Sequence, residues 1–244
     1  MPELLTLQRL AASLTVALDV RALERFALYR DLLLDWNQRV NLTRITEPGE
    51  VELRLFGDAL ALHPYVRRQA EAHPAARARR LIDVGSGAGF PGLPLKIVDP
   101  TLDVVLLEAT GKKVTFLEAA IAELELDGVR AVHGRAEDFA HQSAFRARFD
   151  LVTARGVARL PTLLEVCLPF LRPGGWGIFP KGRDAAVEAS DSANALATLG
   201  ARLLDVDPAP LPELEGTVIV VAEQVGPVPS GYPRRAGLPV KHPL

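Results

Sequence analysis

Between residues 81 and 92 an apolar run, Leu81-Ile82-Asp83-Val84, breaks into Gly85-Ser86-Gly87-Ala88-Gly89-Phe90-Pro91-Gly92. Glycines at 85, 87 and 89 can take positive φ and let backbone N–H groups approach a ligand, and Pro91 suits the first turn of a helix, where no N–H is needed. A ligand held there lies at a helix N-terminus, as nucleotide-like cofactors do. A dinucleotide fingerprint, G-x-G-x-x-G, would put its third glycine at position 90, where Phe90 stands. The G-x-G-x-G spacing points to S-adenosylmethionine rather than NAD, although a tight connection without a ligand has the same spacing. The next apolar run, Asp103-Val104-Val105-Leu106-Leu107, ends at Glu108, 23 positions after Gly85. In doubly wound folds an acid about 20 residues on accepts hydrogen bonds from ribose hydroxyls. Glu108 therefore supports the fold more than the choice of cofactor.

The elements that position these residues are legible as periodic patterns. Apolar positions from Leu4 to Leu18 and from about Ala22 to Val40 recur at helical spacing. Glu47-Pro48-Gly49-Glu50 reads as a turn opening a third helix, so the first 70 or so residues are expected to be helical. Strands near 80–84, 103–107, 129–133, 149–154 and 175–179 then alternate with helices at 91–98, 111–125, 136–140 and 160–170, with Thr110 placed to cap the second of them. A helix near 184–198 and strands near 201–206 and 217–223 complete a seven-stranded pattern. Alternation of this kind predicts an α/β fold, a parallel sheet with helices on both faces. The expected division is a helical extension over 1–75, a Rossmann-like domain over 76–225, and an extended, basic, Pro/Gly-rich tail over 226–244 packed on or beside it.

With 244 residues and 48% hydrophobic content the chain can bury a sizeable core. It has no run of 18 apolar residues, and with Glu3 near its start neither a membrane span nor a secretion signal is indicated, so a cytoplasmic protein is expected. The single Cys167, between Val166 and Leu168, reads as a small core residue rather than a nucleophile. None of the five histidines has a second ligand at metal-binding spacing, so no metal is assigned. A net charge of −2 supplies no global attraction for nucleic acid, which leaves local clusters to do so. Arg67, Arg68, Arg77, Arg79 and Arg80 precede the first strand, Arg146, Arg148, Arg155 and Arg159 surround the fourth, and Arg234, Arg235, Lys241 and His242 mark the tail. Solvated faces also collect arginine, and each cluster taken singly reads first as such a face.

Over nearly its whole length the chain resembles the RsmG (GidB) family of bacterial small-subunit ribosomal RNA (guanine-N7) methyltransferases. The likeness rests on Trp36-Asn37 followed by Asn41-Leu42-Thr43, on the run from Asp83 to Pro94, on Lys112-Lys113 followed by Phe116-Leu117, and on Gly134-Arg135-Ala136-Glu137. Thr153-Ala154-Arg155-Gly156-Val157-Ala158, Pro180-Lys181-Gly182 and the ending Tyr232-Pro233-Arg234-Arg235-Ala236-Gly237-Leu238-Pro239 extend it. Two departures are Gly156, where the family more often has alanine, and the run from Leu55 to Leu60, usually His-rich before Asp-Ser-Leu. The resemblance implies a class I, Rossmann-like methyltransferase with a seven-stranded, mostly parallel sheet and an N-terminal helical extension. It implies S-adenosylmethionine held by Asp83, Gly85, Gly87, Gly89 and Phe90, by Glu108, Ala109 and Thr110, and by Ala136, Glu137 and Arg155. The implied substrate is a guanine in the helix-18 loop of 16S rRNA, position 527 in conventional rRNA numbering, met as RNA or small ribosomal subunit by a monomer.

Guanine N7 attacks a sulfonium methyl without first losing a proton, so no general base is required. In keeping with this, Thr153-Ala154-Arg155-Gly156 lacks the Asp/Asn-Pro-Pro-Tyr sequence of amino-methylating enzymes, and Cys167 is not placed as the nucleophile of cytosine-C5 enzymes. Arg155 is the one candidate catalytic residue, to brace the cofactor or RNA, unless an acid such as Asp150 holds it in an ion pair. Lys181, Arg234 and Arg235 are the candidate RNA contacts. Glu108 and Glu137 are expected at the ribose hydroxyls and the adenine edge, and as helix-start acids they also suit the dipole. The competing readings are a methyltransferase of the same fold acting on another RNA or a small molecule, an RNA-binding protein with a degenerate pocket, and an NAD-dependent oxidoreductase, which Phe90 disfavours.

Overall fold

The computed structural model describes residues 4–74 and 79–244; Glu3, Arg77 and the expected 75/76 boundary lie outside them. Seven strands form one sheet: β1 (Arg80–Val84), β2 (Asp103–Glu108), β3 (Val129–His133), β4 (Phe149–Thr153), β5 (Leu171–Lys181), β6 (Ala201–Pro208) and β7 (Val218–Gln224), in the order β3-β2-β1-β4-β5-β7-β6. The five strands β1 to β5 run parallel, and β7 runs antiparallel between β5 and β6. Strand order reverses at β1, with β2 on one side and β4 on the other, and ligands of open α/β sheets sit beyond the carboxyl ends of the strands at such a point.

Alternate residues of the central strands feed two different cores, as the period of two requires, with an irregularity in β4 between Phe149 and Leu151 that sends those two to opposite cores. Leu81, Val104, Leu106 and Leu151 enter one with the N-terminal helices, and Ile82, Val105, Val152 and Phe179 enter the other with Phe149, Phe170 and Cys167. Burial on both faces explains the near-continuous apolar runs. The edge strands β3 and β6 are only partly buried.

The first core is built on α1 (Leu5–Ser13), α2 (Val20–Asn37), α3 (Pro48–Val51), α4 (Asp58–Leu60) and α5 (His63–Ala72), with a wider, π-helical stretch over Glu52–Gly57. Asp19 caps α2 by accepting from the Ala22 N–H at 2.7 Å, and Ala22, Phe26, Tyr29, Arg30 and Leu33 form its buried stripe. Buried Glu52 ties three segments together, accepting from the Leu7 N–H and from Arg30, both at 3.2 Å. A Cβ on Gly57 would lie 2.7 Å from Leu10 Cδ1, so glycine in the atypical 55–60 run is what lets α1 pack this closely.

Several boundaries differ from expectation. α1 stops at Ser13, not Leu18, because Thr15 turns to a φ of 53° and the Val16 N–H returns to Ala11 O. The helix expected near 184–198 is two, α10 (Ala185–Asp191) and α11 (Ala193–Leu199), parted at Ser192, whose hydroxyl donates to Glu188 O at 2.7 Å. The remaining helices of the sheet region are α6 (Gly92–Val98), α7 (Gly111–Glu123), α8 (Ala136–Phe139) and α9 (Leu160–Cys167). The last residues form a short helix, α12 (Leu238–Lys241), within the segment expected to be extended throughout. No helix among the described residues is long and apolar enough to cross a membrane.

Candidate active site

β1 ends under a loop held in shape by its own backbone. Gly85, Gly87 and Gly89 have φ of 70°, 60° and 92°, the left-handed conformations the sequence suggested. The Gly85 N–H donates to Leu107 O at 2.8 Å and the Gly89 N–H to Ser86 O at 2.8 Å, so the loop folds back on β2. Glu108, buried at the tip of β2, accepts from the Gly87 N–H at 2.9 Å through Oε2 and from the Thr110 N–H at 2.8 Å through Oε1. A carboxylate has about four acceptor sites, so two remain for hydroxyl donors. Thr110 does occupy the N-cap of α7, but its side chain makes no capping bond; the Glu108 carboxylate takes its N–H instead.

The three glycines do different work. A Cβ on Gly87 would meet nothing closer than Gly85 O at 3.9 Å, so the space above it is open, whereas one on Gly85 would lie 2.8 Å from Val157 Cγ2. A Cβ on Gly89 would strike Leu93 at 2.5 Å and the Tyr29 hydroxyl at 2.7 Å, which makes Gly89 a packing residue facing the core. Phe90 is also mainly a core residue: its ring stacks on Tyr29 with centroids 5.2 Å apart, and Phe56 lies 5.9 Å away. Tyr29 donates its hydroxyl to Ala88 O, so α2 grips the loop from beneath.

Asp83 is fully buried below the loop. Its Oδ2 accepts from the Gly92 N–H at 2.9 Å at the start of α6, and its Oδ1 has no partner. Burial raises its pKa to about 7, with nearby Glu108 adding to the rise and the Gly92 bond and Arg155 opposing it. The Tyr29 hydroxyl is likewise pushed up by burial and by Asp83.

Two cavities meet at Gly85 and Val157. One, of about 230 Å³, is enclosed largely by apolar side chains, among them Leu107, Ala109, Ala136 and Val166, with Glu137 at its edge. The other, of about 540 Å³, is lined by Gly87, Phe90, Arg155, Lys113 and the segment from Leu42 to Ile45. That segment is fixed by Asn37, which accepts from the Leu42 and Thr43 N–H groups at 2.8 and 3.0 Å and donates to Thr43 O at 3.0 Å. The division suits a cofactor with a flat ring at one end and a charged chain at the other. Asp83 and Gly89 lie beneath these cavities rather than in their walls, and Glu108 and Thr110 are not in the walls either, Glu108 standing behind the Gly87 N–H that it binds.

Arg155, at the end of β4, is not paired with Asp150. Its Nε lies 2.9 Å from Asp58 Oδ2 and its second nitrogen donates to Arg54 O at 2.9 Å, while Asp150 is held by Arg172 and the Arg80 N–H. Burial raises the Asp58 carboxyl pKa, against the opposing pull of Arg155. Arg155 lies in the wall both of the larger cavity and of a recess of about 510 Å³ between Arg54, Asp58 and Lys181.

The other arginines and lysines are more committed than their clustering in sequence suggested. Lys181 binds Glu188 and Ala158 O, both at 2.8 Å, and so holds the loop after β4. Arg234 is bound to buried Glu165 at 2.6 Å. Arg68, Arg79, Arg80 and Arg159 pair with Asp205, Asp99, Asp103 and Asp191, and Arg146 donates to carbonyls of the final segment. Apart from Glu188, seven residues from Lys181, these partners stand far away in the chain, which is why no local motif announced them. Arg235 is exposed, as are Arg44 and Arg135 at the cavity mouths. Among the described residues no group of three or more His, Cys, Asp or Glu side chains could hold a metal ion. Sequence reading missed Tyr29, Asp58, the Leu42–Ile45 wall and Val240 of α12, which lines the smaller cavity. Only Asn41-Leu42-Thr43 carried any signal.

The family described as GidB, rRNA small subunit methyltransferase G, has a model that matches residues 22–211. The ribosomal RNA small subunit methyltransferase G of Desulfitobacterium hafniense is 44% identical over 241 residues, covering 98% of this chain and 95% of that protein. Its namesake from Streptococcus equi subsp. zooepidemicus is 44% identical over 221 residues, 91% of each chain. Among solved structures, a variant of MtNAS in complex with S-adenosylmethionine aligns with a TM-score of 0.54 at 16% identity, over 83% of this chain and 75% of that one. A SAM-dependent methyltransferase from Aquifex aeolicus aligns with a TM-score of 0.52 at 16% identity, over 72% and 93%. At those identities the structural likeness is one of fold.

Proposed function

The chain belongs to the rRNA small subunit methyltransferase G family, and from that premise we propose that it transfers a methyl group from S-adenosylmethionine to N7 of guanine 527 in the helix-18 loop of 16S rRNA. The observation that carries the reading is the junction at Gly85, where a ring-sized apolar cavity and an open, basic-rimmed one meet, with the Glu108 carboxylate bonded to the loop that walls the second. These residues fit the cofactor. Ala109, Ala136 and Glu137 would hold its adenine, Glu108 its ribose hydroxyls, and Gly85 and Gly87 the chain that leads to sulfur. Bound there, the cofactor would supply an electrophilic methyl to the N7 lone pair, with sulfur as the leaving group that takes the C–S electron pair.

The protein's part is alignment, for which effective molarities of about 10⁵ to 10⁸ M are available in good geometry. Glu108 keeps the glycine loop closed on β2, and Tyr29 keeps it at one height. Arg155, fixed by Asp58, sits where the cofactor cavity opens toward the recess, and we assign it the placing of the incoming nucleotide rather than proton transfer. A loop target must be splayed out of its stack to reach the site. Arg44, Lys113, Arg135 and Arg235 are the phosphate contacts in this reading, and Lys181 and Arg234, held by Glu188 and by buried Glu165, are not. We read 76–225 as the methyltransferase domain and 1–75 and 226–244 as appendages to it, in a cytoplasmic enzyme that works as a monomer. Incubation with methyl-labelled donor tests the reading: label should enter small-subunit rRNA and not a panel of small metabolites or large-subunit rRNA, and the reverse pattern defeats it.

A further inference from the structure

The smaller cavity is completed by the end of the chain. Val240, in α12, lines it together with Ala136 and Glu137, more than a hundred residues earlier in sequence. Val240 is 67% exposed and Val157, in the same cavity, 43%. Two large apolar side chains left uncovered in one concave site are what a flat, apolar ligand ring would cover.

The final segment is fastened in place. Glu165 of α9 is fully buried and accepts three hydrogen bonds from one residue: the Arg234 N–H at 2.8 Å, its Nε at 2.9 Å and a terminal guanidinium nitrogen at 2.6 Å. The same guanidinium donates to His242 O at 2.7 Å, and Thr162 Oγ1 donates to Pro239 O at 2.9 Å, so α12 is held at both ends. A buried carboxylate is tolerated only when its acceptors are satisfied, and here they are satisfied by the tail alone. Thr162 also lines the cavity, which puts the fastening and the wall on the same turn of α9.

We propose that the chain end is a built part of the cofactor site, clasped to α9 by Glu165 and Arg234 so that Val240 closes the cavity over the adenine ring. The inference rests on the cofactor reading above and assigns Arg234 to that site instead of to RNA.

Calorimetric titration of the full-length protein with S-adenosylhomocysteine tests it. A charge on the wall should weaken binding about ten-fold in Val240→Asp, and loss of two methyls about three-fold in Val240→Ala, while Val240→Ile keeps the affinity of the unaltered chain. Glu165→Gln should weaken binding as well. Because Val240 is exposed, its variants should keep the thermal midpoint, and their affinity for rRNA without cofactor should not change. Equal affinity of Val240→Asp and the unaltered chain for S-adenosylhomocysteine overturns the proposal, as does a loss confined to rRNA binding. If the unaltered chain fails to bind S-adenosylhomocysteine, the cofactor reading itself fails and the proposal falls with it.

Discussion

Gly87 and Gly89 stand two positions apart and should fail in different ways. The space above Gly87 is open, so a side chain there fills the ligand's room and is strained by a φ of 60°. Gly87→Val should weaken S-adenosylmethionine binding by at least about ten-fold because its side chain occupies the ligand's room, and should also lose about 1–3 kcal/mol of stability to strain at that φ. Gly89→Ala meets Leu93 and Tyr29 and should lower the thermal midpoint first. Calorimetry and thermal melts on both variants decide this, and a Gly87→Val protein that binds normally contradicts the site. Asp83 gives a pH prediction. Its folded-state pKa of about 7 lies above the unfolded value of about 4, so the folded chain holds a proton that the unfolded chain has released, and stability falls as pH rises from about 4 through 7. The whole effect is at most roughly 4 kcal/mol. Asp83→Asn keeps an acceptor for the Gly92 N–H and should flatten that slope, with its gain over the unaltered chain larger at pH 8 than at pH 5. Parallel stability curves for the two proteins would show that Asp83 does not titrate this way.

At the scale of elements, α2 is the support of the site. It carries Tyr29 under the glycine loop and Asn37 behind the Leu42–Ile45 wall. Tyr29→Phe should cost about 1 kcal/mol of stability, since Ala88 O loses its donor, and should weaken cofactor binding with it. Denaturant titration measures the first effect, and a variant as stable as the parent removes Tyr29 from the loop's support. The role of Tyr29 was not visible in sequence, where it is one position of a helical stripe, whereas Asn37 and Leu42-Thr43 stood out only through the family likeness. The elements that were legible are those specified by neighbouring residues: the glycine spacing fixes the loop, Glu108 closes a short apolar strand, and the five parallel strands fall close to where alternation puts them. Strand direction is another matter. Val218–Gln224 reads like any buried strand, and only pairing with β5 and β6 makes it antiparallel. The arginine clusters misled for the same reason, because Asp58 and Glu165 reach Arg155 and Arg234 across the fold.

For the molecule as a whole, the tally of committed cations sets how salt should act on RNA binding. Four contacts, Arg44, Lys113, Arg135 and Arg235, give a slope of log affinity against log salt of about −3 at roughly −0.7 per single-strand phosphate. A filter-binding titration with helix-18 RNA giving a slope twice as steep would mean that the paired arginines open on binding. The two cavities and the loop fit the cofactor, and the family to which the chain belongs is one of small-subunit rRNA methyltransferases. Mapping the methyl group by mass spectrometry, after small subunits lacking it are incubated with the protein and labelled S-adenosylmethionine, tests the proposed product most directly. The account predicts one added methyl, on N7 of guanine 527. Label on another nucleotide, on another atom of that guanine, or nowhere in the RNA would contradict it.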